Sequence, residues 1–336
     1  MSPVRFACVS ALVFAVLTIN GCGGGGGAEP APLAAPSKAF VADRGQATIG
    51  SSSNSNPGPG TVVADRRIVG LNTMLSANLI DLALDATNDR LYVADLRSIL
   101  VFNNASTASG NVAPSRVVSS FAGLGNFAGI YLDTVNDRLY ATVNFGLTNQ
   151  VQVFDKVSTL SNAPPTRTFT FASNSLIDIA VDTSKNIAYV YNLDPTNLTR
   201  ISVFDNVASL NSTVALTPNR TITIGESFSS GAALGMFIDP ANDRLYAPRI
   251  GQVMVFDSAS TRNGSVGTTA VPSRTITLPV PAYTNIFVEL TANRLYAADN
   301  AGVNIIDNAS TVSGTPAVTR VLAPGGSVFM AVVVKP

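Results

Sequence analysis

The sequence predicts an all-β fold, a six-bladed β-propeller with four antiparallel strands in each blade. Three observations carry that prediction. A motif, Asn88-Asp89-Arg90-Leu91-Tyr92, returns as Asn136 to Tyr140, as the degenerate Lys185 to Tyr189, as Asn242 to Tyr246 and as Ala292 to Tyr296. The tyrosines lie 48, 49, 57 and 50 residues apart, a period of about 51, and repeats of this length are the mark of stacked or ring-shaped architectures. Within each period four short apolar runs are separated by Asn, Asp, Ser and Thr, and no segment sustains a 3.6-residue apolar period, so almost no helix is expected. Finally, the array begins and ends on partial repeats that complete one another.

In the first full copy, strand A runs from Ile80 to Asp85 and is nearly continuous apolar, as a strand covered on both faces should be. It ends in an acid that recurs as Asp133, Asp182, Asp239 and Glu289. A turn of Asn and Asp follows, residues that bond their own backbone and tolerate left-handed conformations. Strand B is then LYVAD and strand C is SILVF, closing on Phe102-Asn103 and, in later copies, on Phe154-Asp155, Phe204-Asp205, Phe256-Asp257 and Ile306-Asp307. After a Ser/Thr-rich loop an arginine opens strand D: Arg116, Arg167, Arg220, Arg274 or Arg320. Residues present once in every blade are expected to be architectural, since a site requires asymmetry.

The ends supply the sixth blade. Ala39 to Asp43 matches strand B, Gln46 to Gly50 strand C and Arg67 to Val69 strand D, while Val328 to Val334 is a strand A with nothing after it. Pairing the last strand with the first blade closes the ring and removes two exposed edges.

The first 38 residues read as an address and a tether. Phe6 to Ile19 is a 14-residue apolar run, short for a bilayer span of about 20 and right for a signal-peptide core. Ile19-Asn20-Gly21-Cys22 resembles the bacterial lipobox. That resemblance implies a signal peptide over 1–21, acylation of Cys22 (palmitate among its chains) and attachment to the lipid bilayer of the cell envelope. Gly at 23 rather than Asp, by resemblance to Gram-negative lipoproteins, points to the outer membrane. Gly23 to Gly27 and the Pro/Ala-rich stretch after it form a flexible spacer over 22–38, leaving the propeller to 39–336. Cys8 falls in the apolar run, so the mature chain keeps one thiol and no intramolecular disulfide.

On the strand A acid, the LYVAD strand and the Phe-Asp ending, the repeats resemble the NHL and YVTN type of bacterial propeller, whose members serve as enzymes, binding proteins and scaffolds alike. The chain departs from streptogramin-lyase-like propellers in having no His, and from tryptophan-docked quinone propellers and WD40 repeats in having no Trp.

Composition excludes whole classes of chemistry. Without His there is no Ser-His-Asp or Cys-His catalysis and no His-ligated zinc or haem. A formal net charge of zero gives no basic surface for nucleic acid, and no P-loop, GxSxG, CxxC or Asp-x-Asp-x-Asp calcium loop occurs. What does vary between copies is the position four residues before the strand A acid: Asp81, Gly129, Asp178, Gly235, Asn285 and, from the last strand, Ala331. Polar and small residues alternate around the ring. Facing the axis at one mouth, Asp81, Asp178 and Asn285 would converge as a ligand-binding group, with Asp43, Asp95 and Asp299 on the B–C turns of the same face as a rim. Such oxygens suit polar ligands or a hard cation such as calcium. Two readings follow. One is a non-enzymatic binding or scaffold lipoprotein that presents a propeller face to a protein, peptide or glycan and uses no cofactor. The other is a calcium-dependent hydrolase or lactonase of the six-bladed kind.

Overall fold

Strand A of each blade forms because its apolar run is covered on both faces, and these six strands build the centre of the molecule. In a computed structural model of the 336-residue chain, the described residues are 38–53, 61–120, 125–145, 149–225, 235–265, 270–279, 285–299, 302–322 and 329–336. They fall within one compact unit. Cys22, the signal segment 1–21 and residues 22–37 of the spacer lie outside the described residues, as does most of the 226–235 loop.

The strands sort into six sheets, one per blade. Blade 1 runs Phe329–Lys335, Lys38–Asp43, Thr48–Ser52, Arg66–Ile68 as strands A to D. Blade 2 runs Leu79–Asp85, Arg90–Asp95, Ser98–Asn103, Arg116–Ser120, and blade 3 Asn126–Asp133, Arg138–Asn144, Gln150–Asp155, Arg167–Phe171. Blade 4 is Ser175–Asp182, Ile187–Leu193, Thr199–Asp205, Arg220–Thr223. Blade 5 is Phe237–Asp239, Arg244–Arg249, Gln252–Asp257, Arg274–Thr277, and blade 6 Asn285–Glu289, Arg294–Ala298, Val303–Asp307, Arg320–Leu322. Each strand A touches the strand A of the next blade, and the sixth touches the first, so the inner strands close a ring. The terminal strand does complete blade 1: Val332 opposes Val41, and Lys335 opposes Lys38. Among the described residues the only helical segments are three 3-10 turns of three residues each.

The recurring polar residues hold turns and edges. Asp85, Asp133 and Asp239 each accept from the backbone N–H and side-chain amide of the Asn three residues on, closing the A–B turn. The next turn residue takes a positive φ in every full copy: Asp89, Asp137, Asn186, Asp243 and Asn293. Its side chain accepts the backbone N–H of a loop residue after strand C, such as Ser106, Ser158, Ser260 or Ser310. In blades 3, 5 and 6 the acid ending strand C is clamped by arginines from strands B and D, as Asp155 is by Arg138 at 2.5 Å and Arg167 at 3.2 Å, and Asp307 by Arg294 at 3.1 Å and Arg320 at 2.7 Å.

The C–D loops do more than connect. Each lays a segment parallel to strand D of the preceding blade. Thr61–Val62 pairs with blade 6, Ser212–Leu216 with blade 3 and Gly264–Ser265 with blade 4. Gly110 and Gly314 make single bridges to Ile68 and Ile276, and Asn162 and Ala163 donate to Val117 and Val118 at 2.8 and 3.0 Å. All six outer edges are therefore occupied, which denies them to edge-to-edge association.

Candidate binding site in the axial cavity

The alternating position of strand A is aimed by a β-bulge. Register against strand B slips by one residue just before Asp81, Gly129, Asp178 and Ala331, and an inserted residue of this kind re-aims the side chain that follows it. In blades 5 and 6 the two backbones meet directly, Gly235 bridging to Asn285.

The reason for the alternation is steric. A Cβ on Gly129 would stand 2.3 Å from Asp178 Oδ1 and 2.8 Å from Asp178 Cα, and one on Gly235 would stand 2.2 Å from Asn285 Nδ2. Asp178 and Asn285 thus each lie over the glycine of the blade before, while the position before Asp81 is the small Ala331. The polar groups also tie blades together. Asp81 Oδ2 accepts Ile130 N–H of blade 3 at 2.9 Å, and its Oδ1 accepts Leu82 N–H at 2.9 Å and the Asn285 amide of blade 6 at 3.2 Å. Asp178 Oδ2 accepts Met236 N–H of blade 5 at 2.6 Å. Asp81, Asp178 and Asn285 form a collar in this way.

The collar lies at one end of a cavity of about 330 Å³ walled by strand A residues of all six blades. Below the collar residues, two positions further along each strand, come Ala83, Tyr131, Ala180, Phe237, Phe287 and Val333, all lining the cavity. Phe237 and Phe287 pack edge to face at 5.3 Å. The collar residues are buried, at 8, 4 and 6 % exposure for Asp81, Asp178 and Asn285, whereas Leu290 at the A–B turn end is 47 % exposed. The collar is the inner end of the cavity, and its lining opens toward the A–B turns.

Burial pushes the Asp81 carboxyl up to about 6, against the pull of the Ile130 and Leu82 amides and of Asn285. Burial and then the Asp81 charge hold Asp178 well above the usual carboxylate range. Both carboxyls therefore keep their protons to higher pH than an exposed acid does, and the two resist being ionised together.

The other acids of this face are placed differently. Asp43 accepts Gln46 N–H at 3.3 Å, Asp95 the backbone N–H and hydroxyl of Ser76 at 2.6 and 2.7 Å, and Asp299 the Gly302 N–H at 3.1 Å and the Asn304 amide at 2.7 Å. They brace the B–C turns and do not line the cavity. The long B–C loop of blade 4 is likewise self-contained, Asp194 accepting Thr196 and Leu198 N–H and pairing with Arg200 at 2.6 Å. The aromatic wall of Tyr131, Phe237 and Phe287 was not singled out by the sequence. Stepping two residues from the alternating position finds it, because side chains two apart share one face of a strand.

No family model and no curated protein matches the chain. Solved structures do. A chain of a nidogen/laminin complex is similar with a TM-score of 0.58 at 13% identity, over 89% of this chain and 98% of that one. A protein of unknown function from Bacteroides caccae is similar with a TM-score of 0.56 at 8% identity, also over 89% and 98%. At such identities the likeness is one of fold.

Proposed function

We propose that the chain is a bacterial envelope lipoprotein of NHL- and YVTN-like repeats, anchored through acylated Cys22 and the 22–38 spacer, whose propeller binds its ligand in the axial cavity. The observation that supports binding most directly is the cavity itself. Its volume lies in the range of small-ligand sites, and it is apolar except for a few convergent polar groups at one end. A protein, peptide or glycan engaging the propeller would reach that cavity from the A–B turn face. Lys38, where the spacer enters, lies on the same face opposite Lys335.

The calcium-dependent hydrolase or lactonase reading has less support. Calcium takes six to eight oxygens. The collar offers two carboxylates and one carboxamide, and that carboxamide turns its NH2 group to Asp81. Among the described residues no group of three or more acids, His or Cys gathers as a metal site.

Two measurements test the proposal. Palmitate labelling of the expressed precursor should be lost in Cys22→Ser, and undiminished labelling refutes the anchor. Affinity capture of the native lipoprotein from envelopes should recover a ligand that is lost in Ala180→Phe, which fills the cavity from its wall. An unchanged capture profile in that variant refutes the cavity as the binding site.

A further inference from the structure

We propose that the axial cavity takes a small organic monocation, an ammonium group on an apolar body, with the ammonium at the Asp81–Asp178 collar and the body against Tyr131, Phe237 and Phe287. This rests on the reading of the cavity as the binding site and names the chemistry of its occupant.

Charge is the first argument. Among the described residues the two carboxylates are the only ionisable acids or bases lining the cavity besides the Tyr131 phenol, and no Lys or Arg lines it. Arg138, Arg167, Arg220, Arg244, Arg294 and Arg320 are committed elsewhere, to the acids ending strand C, while Arg90 lies beside Asp85 and Arg116 donates to the Val157 and Leu160 carbonyls. The connections from strand D to the next strand A, residues 69–78, 121–125, 172–174, 224–234, 278–284 and 323–328, contain no Lys or Arg in the sequence. Arg44 and Arg97 belong to B–C turns, where Arg44 bonds the Ala77 carbonyl and Arg97 is exposed. A buried charge without a cationic partner is costly, and two buried acids that raise one another favour carrying one charge over two. A monocation matches it; a divalent ion lacks the oxygens it needs, and an anion meets repulsion.

The wall supplies the second argument. Phe237 and Phe287 with Tyr131 give an apolar body three aromatic partners, and ring faces also attract ammonium groups. Ala83 and Ala180 on the intervening blades leave room between them. At the ~30 Å³ a liquid water occupies, the cavity holds about ten non-hydrogen atoms.

Depth decides between a free amine and a lysine of a partner. From Asn285 at the collar to Leu290 at the rim is five residue steps, about 16 Å along a strand. A lysine's four-carbon stem, on a backbone held at the rim, does not span it. The occupant is a free amine.

The test uses the full-length protein in detergent, titrated calorimetrically at pH 7.5 with n-hexylammonium, hexanol, hexanoate and calcium. Hexylammonium is expected to bind at least tenfold more tightly than hexanol, with no binding of hexanoate. Asp81→Asn should lose at least tenfold of the hexylammonium affinity while leaving hexanol unchanged. The wild type should lose a similar factor between pH 7.5 and pH 5, a readout that stands if the variant fails to fold. Equal binding of hexylammonium and hexanol overturns the cation preference and leaves the cavity as a site. No binding of any organic probe overturns both. Calcium that binds and displaces hexylammonium, or a lysine-bearing peptide that binds more tightly than hexylammonium, overturns the assignment of a free amine.

Discussion

Asp85 accepts its hydrogen bonds from Asn88, three residues on in the same turn. Asp81, four residues earlier on the same strand and buried to the same degree, accepts from Ile130 in the next blade and from Asn285 two blades away in the other direction. The first acid serves its own repeat and is therefore present in every full copy. The second serves the ring, where a large side chain on one blade needs a small one beside it, and so it alternates. Recurrence marks what a blade needs to fold; alternation marks what six blades negotiate between them.

The largest effect should come from breaking a ring contact while leaving every full repeat intact. Deleting residues 327–336 removes the buried Ala331, Val332, Val333 and Val334 and opens the inner edge of blade 1. At about 1.5 kcal/mol or more for each valine, with the lost ladder besides, the truncated chain should forfeit most of a typical domain's stability. Its thermal unfolding midpoint should collapse or its transition disappear in circular dichroism. A monomeric protein with an unchanged midpoint would show that the blades do not depend on closure.

Protonation separates the two acids next. Asp81 titrates near 6 in the folded protein against an ordinary value of 3.8, so the folded state holds its proton more tightly than the unfolded chain does. The stability this gives is present below about pH 4 and is lost as pH rises through 6. Asp178 has the same sign and extends the loss to higher pH. The surface acids clamped by arginine, among them Asp155, Asp205 and Asp257, are shifted down and have the opposite sign. The informative quantity is therefore the difference between wild type and Asp178→Asn in denaturant melts from pH 4 to 8. The variant carries an N–H where the protonated acid carries O–H, and it should gain on the wild type as pH rises. A constant difference across the range would remove the raised Asp178 carboxyl from the account.

The glycines should sharpen the comparison further. Gly235→Ala is expected to cost about 1–3 kcal/mol by overpacking, and Asn285→Ala should recover most of it, because the three nearest atoms all belong to that side chain. Gly129→Ala should cost at least as much and resist rescue by Asp178→Ala, since Asp178 Cα at 2.8 Å and the Ile177 carbonyl at 3.0 Å remain. Equal rescue at both sites would contradict the steric origin of the alternation. Smallest are the turn acids: Asp85→Ala, Asp133→Ala and Asp239→Ala should each cost ~1 kcal/mol through unsatisfied turn donors and add across blades. Asp81→Ala and Asp178→Ala should not add.

Much of the fold was legible because it is local. The A–B turn acids, the strand order and the half-blades at the ends all repeat or complement within the sequence, and the structure has them where the spacing puts them. The alternating position was legible as a pattern, yet its cause was not, because the glycine under Asp178 lies 49 residues away in the chain. Burial of the collar and the aromatic wall likewise depend on how six strands converge. The edge-covering C–D loops were unreadable for a different reason. At most three parallel pairs per loop, and a single bridge at Gly110 and at Gly314, leave no periodicity to detect.

Closure of blade 1 by the terminal strand also sets a clock. Val41 and Val332 pair across 291 residues of the chain, 332 less 41. Pairings so distant in sequence are slow to form. The first blade to leave the ribosome is thus the last to be finished, and until then strand B offers an unpaired apolar edge of the kind that aggregates. That edge is covered only once Phe329–Lys335 has been made and has paired with it.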